Sequence, residues 1–135
     1  MKFTFEELQE MIVIAENHEA CDYFIEILKE IKSVEEFYEN SHAPFWAYWY
    51  AREVIGGRFE LGEETIAKSS LYSYLYARNV LKGRFELGEA AIALNAAQSF
   101  FYAKDVLHSR FPLGEKSISK EKKISESYQK FLLSL

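Results

Sequence analysis

The sequence predicts an all-α fold: a short right-handed α-solenoid of four helix-pair repeats behind an acidic N-terminal helical cap. Three observations lead there. The string Tyr-Ala-[Arg/Lys]-x-Val-[Ile/Leu]-x-[Gly/Ser]-Arg-Phe-x-Leu-Gly-Glu runs from Tyr50 to Glu63, from Tyr76 to Glu89 and from Tyr102 to Glu115, so the copies lie 26 residues apart. A fixed period of that length is the mark of a repeat array. Composition points the same way, with 49% hydrophobic residues, two prolines, and six glycines that all fall inside the repeated string. Between those glycines, apolar residues recur at steps of three and four, the spacing of one helix face.

Taken in order, the chain opens with Thr4 and Glu7, the pattern of a capping box. Phe5, Leu8, Met11, Ile12 and Ala15 have helical spacing, which predicts a helix over 5–15. Asn17 can cap a second helix over 19–32, whose apolar face is Tyr23, Phe24, Ile27, Leu28 and Ile31. Ser33 and Glu36 form another capping box ahead of a short helix over 34–40. Pro44 suits the first turn of the next helix, where its missing N–H leaves nothing unpaired. That helix runs to Ile55 and stops at Gly56-Gly57, since glycine tolerates the left-handed C-terminal turn.

Shifting the numbering by 26 aligns residues 33–58 with the second repeat, which gives units 33–58, 59–84, 85–110 and a degenerate 111–135, with 1–32 as the cap of a single domain. Each unit reads as a short helix A and a longer helix B, here Glu60 to Lys68 and then Ser69 or Ser70 to Lys82 in the second unit. The glycine stop of that unit is Gly83, and Ser109 takes its place in the third. Three ladders on helix B are read as core: Tyr50/Tyr76/Tyr102/Tyr128, Val54/Val80/Val106/Leu132 and Ile55/Leu81/Leu107/Leu133. Three more belong to helix A and its start: Phe59/Phe85/Phe111, Leu61/Leu87/Leu113 and Ile66/Ile92/Ile118. Ala51, Ala77 and Ala103, with Gly62, Gly88 and Gly114, are small where helices must approach closely.

The net charge of −5 lies wholly in residues 1–32, with eight acidic groups against three basic; residues 111–135 carry five lysines against three glutamates. An acidic end disfavours nonspecific nucleic-acid binding. The same polarity makes a homo-oligomer, head to tail or dimeric, a partner expectation. Cys21 is the only cysteine, so no intramolecular disulfide is available and a reducing cytoplasm is the simple reading. Its default role is a small buried residue. No signal peptide or membrane span is legible.

Four constellations could carry chemistry. Arg58, Arg84 and Arg110 pair in sequence with Glu63, Glu89 and Glu115, five residues on. The structural reading is a charge-assisted lock on each joint; the functional one is an anion site or an acid–base pair. Three copies favour the lock. Arg52/Arg78/Lys104/Lys130 lie off the core stripe, either as a solvated face or as a contact for an acidic partner. Phe45, Trp46, Tyr48, Trp49 and Tyr50 point around most of a helix, and Tyr72, Tyr74, Phe100 and Phe101 continue the theme. They are a thick aromatic core, a binding patch of anchor residues, or a stacking platform for a base. The candidate binding set is Trp46, Tyr48, Trp49, Arg52, Tyr72, Arg78 and Lys104. His18, His42 and His108 lack ligand spacing, so no metal and no cofactor is expected.

The pattern Y-A-x-x-V-[IL]-x-G-R-[FW]-x-x-[GA]-E-x-x-I, over roughly residues 43–118, resembles a tandem helical repeat of uncharacterised bacteriophage and bacterial proteins. That resemblance implies a phage accessory protein acting in the bacterial host cytoplasm. It brings no catalytic residues. The expected function is a non-enzymatic protein-interaction module that binds and modulates or inhibits a host protein. The alternative is a nucleotide-like small-molecule binding or sequestering protein.

Overall fold

A computed structural model describes residues 3–18 and 22–135, and over these the chain is all-helical, with no strand. The helices are α1 (Phe5–Asn17), α2 (Asp22–Lys29), α3 (Val34–Glu39), α4 (Ala43–Trp49), α5 (Glu60–Ile66), α6 (Ser70–Tyr76), α7 (Glu89–Ile92), α8 (Ala96–Phe101), α9 (Glu115–Ser119) and α10 (Lys122–Leu133). Helices α4, α6 and α8 are each prolonged by a wider π-type turn, at Tyr50–Ile55, Ala77–Leu81 and Tyr102–Leu107. Short 3₁₀ turns at Glu86–Gly88 and Pro112–Gly114 lead into α7 and α9. The expected helix start at 19, Cys21, and the side chains of Tyr23 and Phe24 lie outside the described residues.

Local chemistry sets most of the helix starts. Thr4 Oγ1 accepts the Glu7 N–H at 3.1 Å while Glu7 accepts the Thr4 N–H at 3.0 Å, the full capping box. Ser33 caps α3 through Glu36 N at 3.2 Å, but the Glu36 carboxylate reaches one residue further back, to Lys32 N at 3.1 Å. Ser69 and Asn95 cap α6 and α8 in the same way. Asn17 ends α1 instead of capping α2.

Two of the three helix stops differ from expectation by one residue. Left-handed backbone falls at Gly56 (φ 71), within the expected Gly56-Gly57, but at Lys82 (φ 53) and His108 (φ 54) in the next two units, not at Gly83 and Ser109. The following residue, Gly57, Gly83 or Ser109, donates its N–H to the carbonyl of Ala51, Ala77 or Ala103. That bond asks only for an N–H, which is why Ser109 can replace glycine there. The glycine-demanding position is occupied by lysine and histidine in two units of three.

The core runs the length of the chain. Helix α4 packs on α6, α6 on α8, and α8 on α10; α5 bridges α4 and α6, and α9 bridges α8 and α10. Helix α1 covers α2 and the π turn after α4. The tyrosine ladder (50, 76, 102, 128), the phenylalanine ladder (59, 85, 111) and the isoleucine ladder (66, 92, 118) are buried as expected. Three ladders are not. Val54, Val80, Val106 and Leu132 are only half-buried, and Ile55 and Leu133 are exposed, Leu133 by 87%. Leu87 and Leu113 are exposed as well. At the ends of α4, α6 and α8 the wider turn displaces residues away from the face a regular helix would present, while Leu132 and Leu133 lie in the last turn of a regular α10.

Close approach is set by a second small residue, on the facing helix. A Cβ built on Gly62 would lie 3.3 Å from Ala47 Cβ, and one on Gly88 would lie 2.5 Å from Ser73 Oγ; Gly114 meets Ser99 in the same way. Ala47, Ser73 and Ser99 are themselves 26 residues apart. Each unit therefore seats its glycine against the preceding B helix.

The left-handed lysine gives a direct test. Lys82→Gly removes a Cβ strain of about 1–2 kcal/mol against an added entropy cost of folding of about 0.5–1 kcal/mol. The urea midpoint should rise with m unchanged; a lower midpoint would show that Lys82 is held by something other than its backbone.

Candidate functional site

Each of the last three units builds the same polar joint from residues that the repeat keeps together. Arg84 Nε and Nη2 reach Glu89 Oε2 and Oε1 at 2.6 and 3.0 Å. The Tyr102 hydroxyl donates to Glu89 at 2.6 Å and accepts the Phe85 N–H at 3.0 Å. The earlier joint repeats this with Arg58, Glu63, Tyr76 and Phe59, and the later one with Arg110, Glu115, Tyr128 and Phe111. Glu89 is 7% exposed, so its charge needs every one of these partners.

Both oxygens of each glutamate are engaged, which is the geometry of a lock between a loop and the helix behind it. Charge distribution follows. Hydrogen bonds to the glutamates raise the guanidinium pKa of all three arginines. The Arg110 bond, and then the Tyr128 bond, hold the Glu115 carboxyl below its ordinary 4.5. Burial, then the bond to glutamate, pushes Tyr76, Tyr102 and Tyr128 above 10. In the first unit the glutamate position is Phe37 and the joint is absent; Trp46 stacks on Tyr50 at 5.0 Å and meets Phe37 edge-on at 5.3 Å instead.

A second polar ladder ties successive B helices. Tyr48 Oη accepts from Asn79 Nδ2 at 2.9 Å and from Arg52 Nη1 at 3.1 Å. One unit later the Tyr74 hydroxyl donates to Asp105 at 2.6 Å. Burial and then Asp105 push Tyr74 up to about 12. Asn79 and Asp105 stand beside the basic ladder in sequence, and the structure gives them this role.

The candidate binding residues divide into two groups. Trp46 and Tyr48 are buried, and Tyr72 is half-buried against Phe45 at 5.6 Å and Tyr48 at 5.8 Å. The aromatic run is thus mainly core, because Phe37, Tyr50 and Tyr72 cover the ring faces that one helix alone would leave exposed. Arg52, Arg78 and Lys104 are exposed, with Trp49 half-buried three residues before Arg52. Leu75 and Phe101 occupy the equivalent places before Arg78 and Lys104; Phe101 is exposed. The surface of the B helices therefore carries an apolar row, Trp49, Leu75 and Phe101, beside a basic row, Arg52, Arg78 and Lys104. Leu75 was readable only by shifting Trp49 along the repeat.

Comparison with protein-family models, curated proteins and solved structures gives no match. Among the described residues, no group of three or more His, Cys, Asp or Glu could hold a metal ion, and no helix is long and apolar enough to cross a membrane.

Two measurements check the joint. Tyr102→Phe deprives Phe85 N–H and Glu89 of a partner and should destabilise by about 1–3 kcal/mol in urea, with little loss of packing; an unchanged midpoint would remove the hydroxyl from the joint. Tyrosines held neutral by the fold contribute stability that is complete below pH 10 and lost as pH rises through their higher folded values. The urea midpoint should therefore fall above pH 10, and tyrosinate absorbance should appear together with unfolding.

Proposed function

We propose that this chain is a non-enzymatic interaction module that holds a protein partner on the exposed face of its B helices. The carrying observation is the pair of parallel rows: Trp49, Leu75 and Phe101 beside Arg52, Arg78 and Lys104. Aromatic and arginine side chains anchor interfaces, the first through desolvation and the second through bidentate contact with carboxylates. The fitting partner is an acidic surface with apolar residues spaced to match. In this reading the units 33–58, 59–84, 85–110 and 111–135 form a short right-handed solenoid, and its regular rows are the shape such arrays offer to partners. The setting is a bacteriophage accessory protein acting on a host protein in the bacterial cytoplasm, a step that rests on the resemblance of the repeat.

The alternative, a nucleotide-like ligand stacked between rings, has less to support it. Phe45, Tyr48 and Tyr72 are packed on one another, and the joint arginines are engaged by glutamates.

Trp46→Ala is a poor test, since loss of a buried tryptophan destabilises by about 3–5 kcal/mol. Surface changes are better. A host protein retained from bacterial lysate should bind the Arg78→Glu, Lys104→Glu double variant about tenfold or more weakly, a difference of about 1.4 kcal/mol. Retention that is indifferent to these charges and to Phe101→Ala would move the partner off this face. A thermal shift with nucleotides, and no protein retained, would support the alternative.

A further inference from the structure

The last unit leaves open a groove that is filled three times elsewhere in the chain. In each filled copy the segment Phe-x-x-Gly at the start of one unit sits on the B helix before it. Phe85 meets Tyr76 at 4.9 Å and Phe111 meets Tyr102 at 5.0 Å, both edge to face, and Phe59 meets Tyr50 at 5.3 Å. The glycine three residues on rests against Ala47, Ser73 or Ser99, with no room for a Cβ. Ala51, Ala77 and Ala103, one residue past each tyrosine, are fully covered.

The equivalent places on α10 are uncovered. Ser125 stands where Ser73 and Ser99 are buried, and it is half-exposed. Gln129 stands at the alanine position and is exposed. The Glu115 side chain is 28% exposed, against 10% for Glu63 and Glu89. Ser125, Gln129, Glu115 and Leu132 border a groove of about 310 Å³, with Ile118 and Tyr128 buried at its floor. Lys120, Lys122 and Lys123 are exposed in the loop and first turn leading to it.

We infer that this groove docks the start of a helix from another polypeptide, with an aromatic residue followed three places on by glycine and with acidic neighbours. The shape comes from the three filled copies, which show what seats against this set of side chains. The charge comes from the lysines, which complement a segment such as Phe85-Glu86-Leu87-Gly88-Glu89. The three such segments within residues 1–135 are already seated, and a second copy would have to unseat one to offer it, so the occupant argued for is a segment of a partner protein. Gln129 places an amide where the filled copies have a methyl group, and it narrows the groove. The site is separate from the exposed rows of the B helices and stands whatever those rows bind.

A labelled peptide of residues 84–95, Arg-Phe-Glu-Leu-Gly-Glu-Ala-Ala-Ile-Ala-Leu-Asn, is the probe, titrated with the full chain by fluorescence anisotropy. Saturable binding is expected below about 1 mM. Replacing its phenylalanine by alanine, or its glycine by leucine, should weaken binding about tenfold or more. On the protein, Ser125→Leu should abolish binding and Gln129→Ala should strengthen it, with circular dichroism confirming unchanged helix content. The peptide variants decide the matter even if Ser125→Leu perturbs the fold. The inference is overturned if neither the native chain nor Gln129→Ala binds the peptide, or if the glycine-to-leucine peptide binds equally well. Self-association of the chain that Ser125→Leu abolishes would also overturn it, by assigning the groove to a second copy.

Discussion

A tyrosine hydroxyl placed between a backbone N–H and a buried carboxylate is the interaction on which the repeating part of this protein depends. Tyr76, Tyr102 and Tyr128 each close the gap between a B helix and the loop that opens their own unit. The hydroxyl can do this because it donates and accepts at once. It satisfies a phenylalanine N–H that burial would otherwise strand, and it shares with arginine the task of neutralising a glutamate. The phenylalanine is thereby fixed with its ring on the tyrosine of the unit before. One polar atom thus sets both the packing within a unit and the seat of one unit on the next.

Much of this was legible in the sequence. A 26-residue period with Arg, Phe, Glu and Tyr at fixed offsets identifies a recurring joint, and the capping residues Thr4, Ser33 and Ser69 mark helix starts through short-range rules. The pairing of Arg84 with Glu89 follows from charge and distance along the chain. The tyrosine's part in it does not, because 13 and 17 residues separate it from Glu89 and Phe85. A pattern of apolar residues labels tyrosine as core and is silent about its oxygen.

Other features were hidden for similar reasons. The π turn at the end of α4 changes which residues face inward, so a 3.6-residue period places Ile55 in the core when it lies at the surface, and the 3₁₀ turn before α7 does the same for Leu87. The left-handed position fell on Lys82 and His108 because the Gly-bearing place in the alignment is one residue later. The aromatic run from Phe45 to Tyr50 looked too rich for one helix face. Its covering partners, Phe37 and Tyr72, come from helices on either side, and a single-helix projection does not include them.

The bonds of each joint span at most 17 residues of chain. A joint can therefore close before distant parts of the protein have met, since short loops lose little entropy on closure. Folding of such a chain is fast and can begin in more than one place, with growth proceeding from any finished joint to its neighbour. In the N-terminal unit, where Phe37 stands in place of the glutamate, the local latch is aromatic: Phe37 meets Trp46 and Trp46 stacks on Tyr50. One repeated position thus sets whether a unit closes on a polar bond or on packed rings.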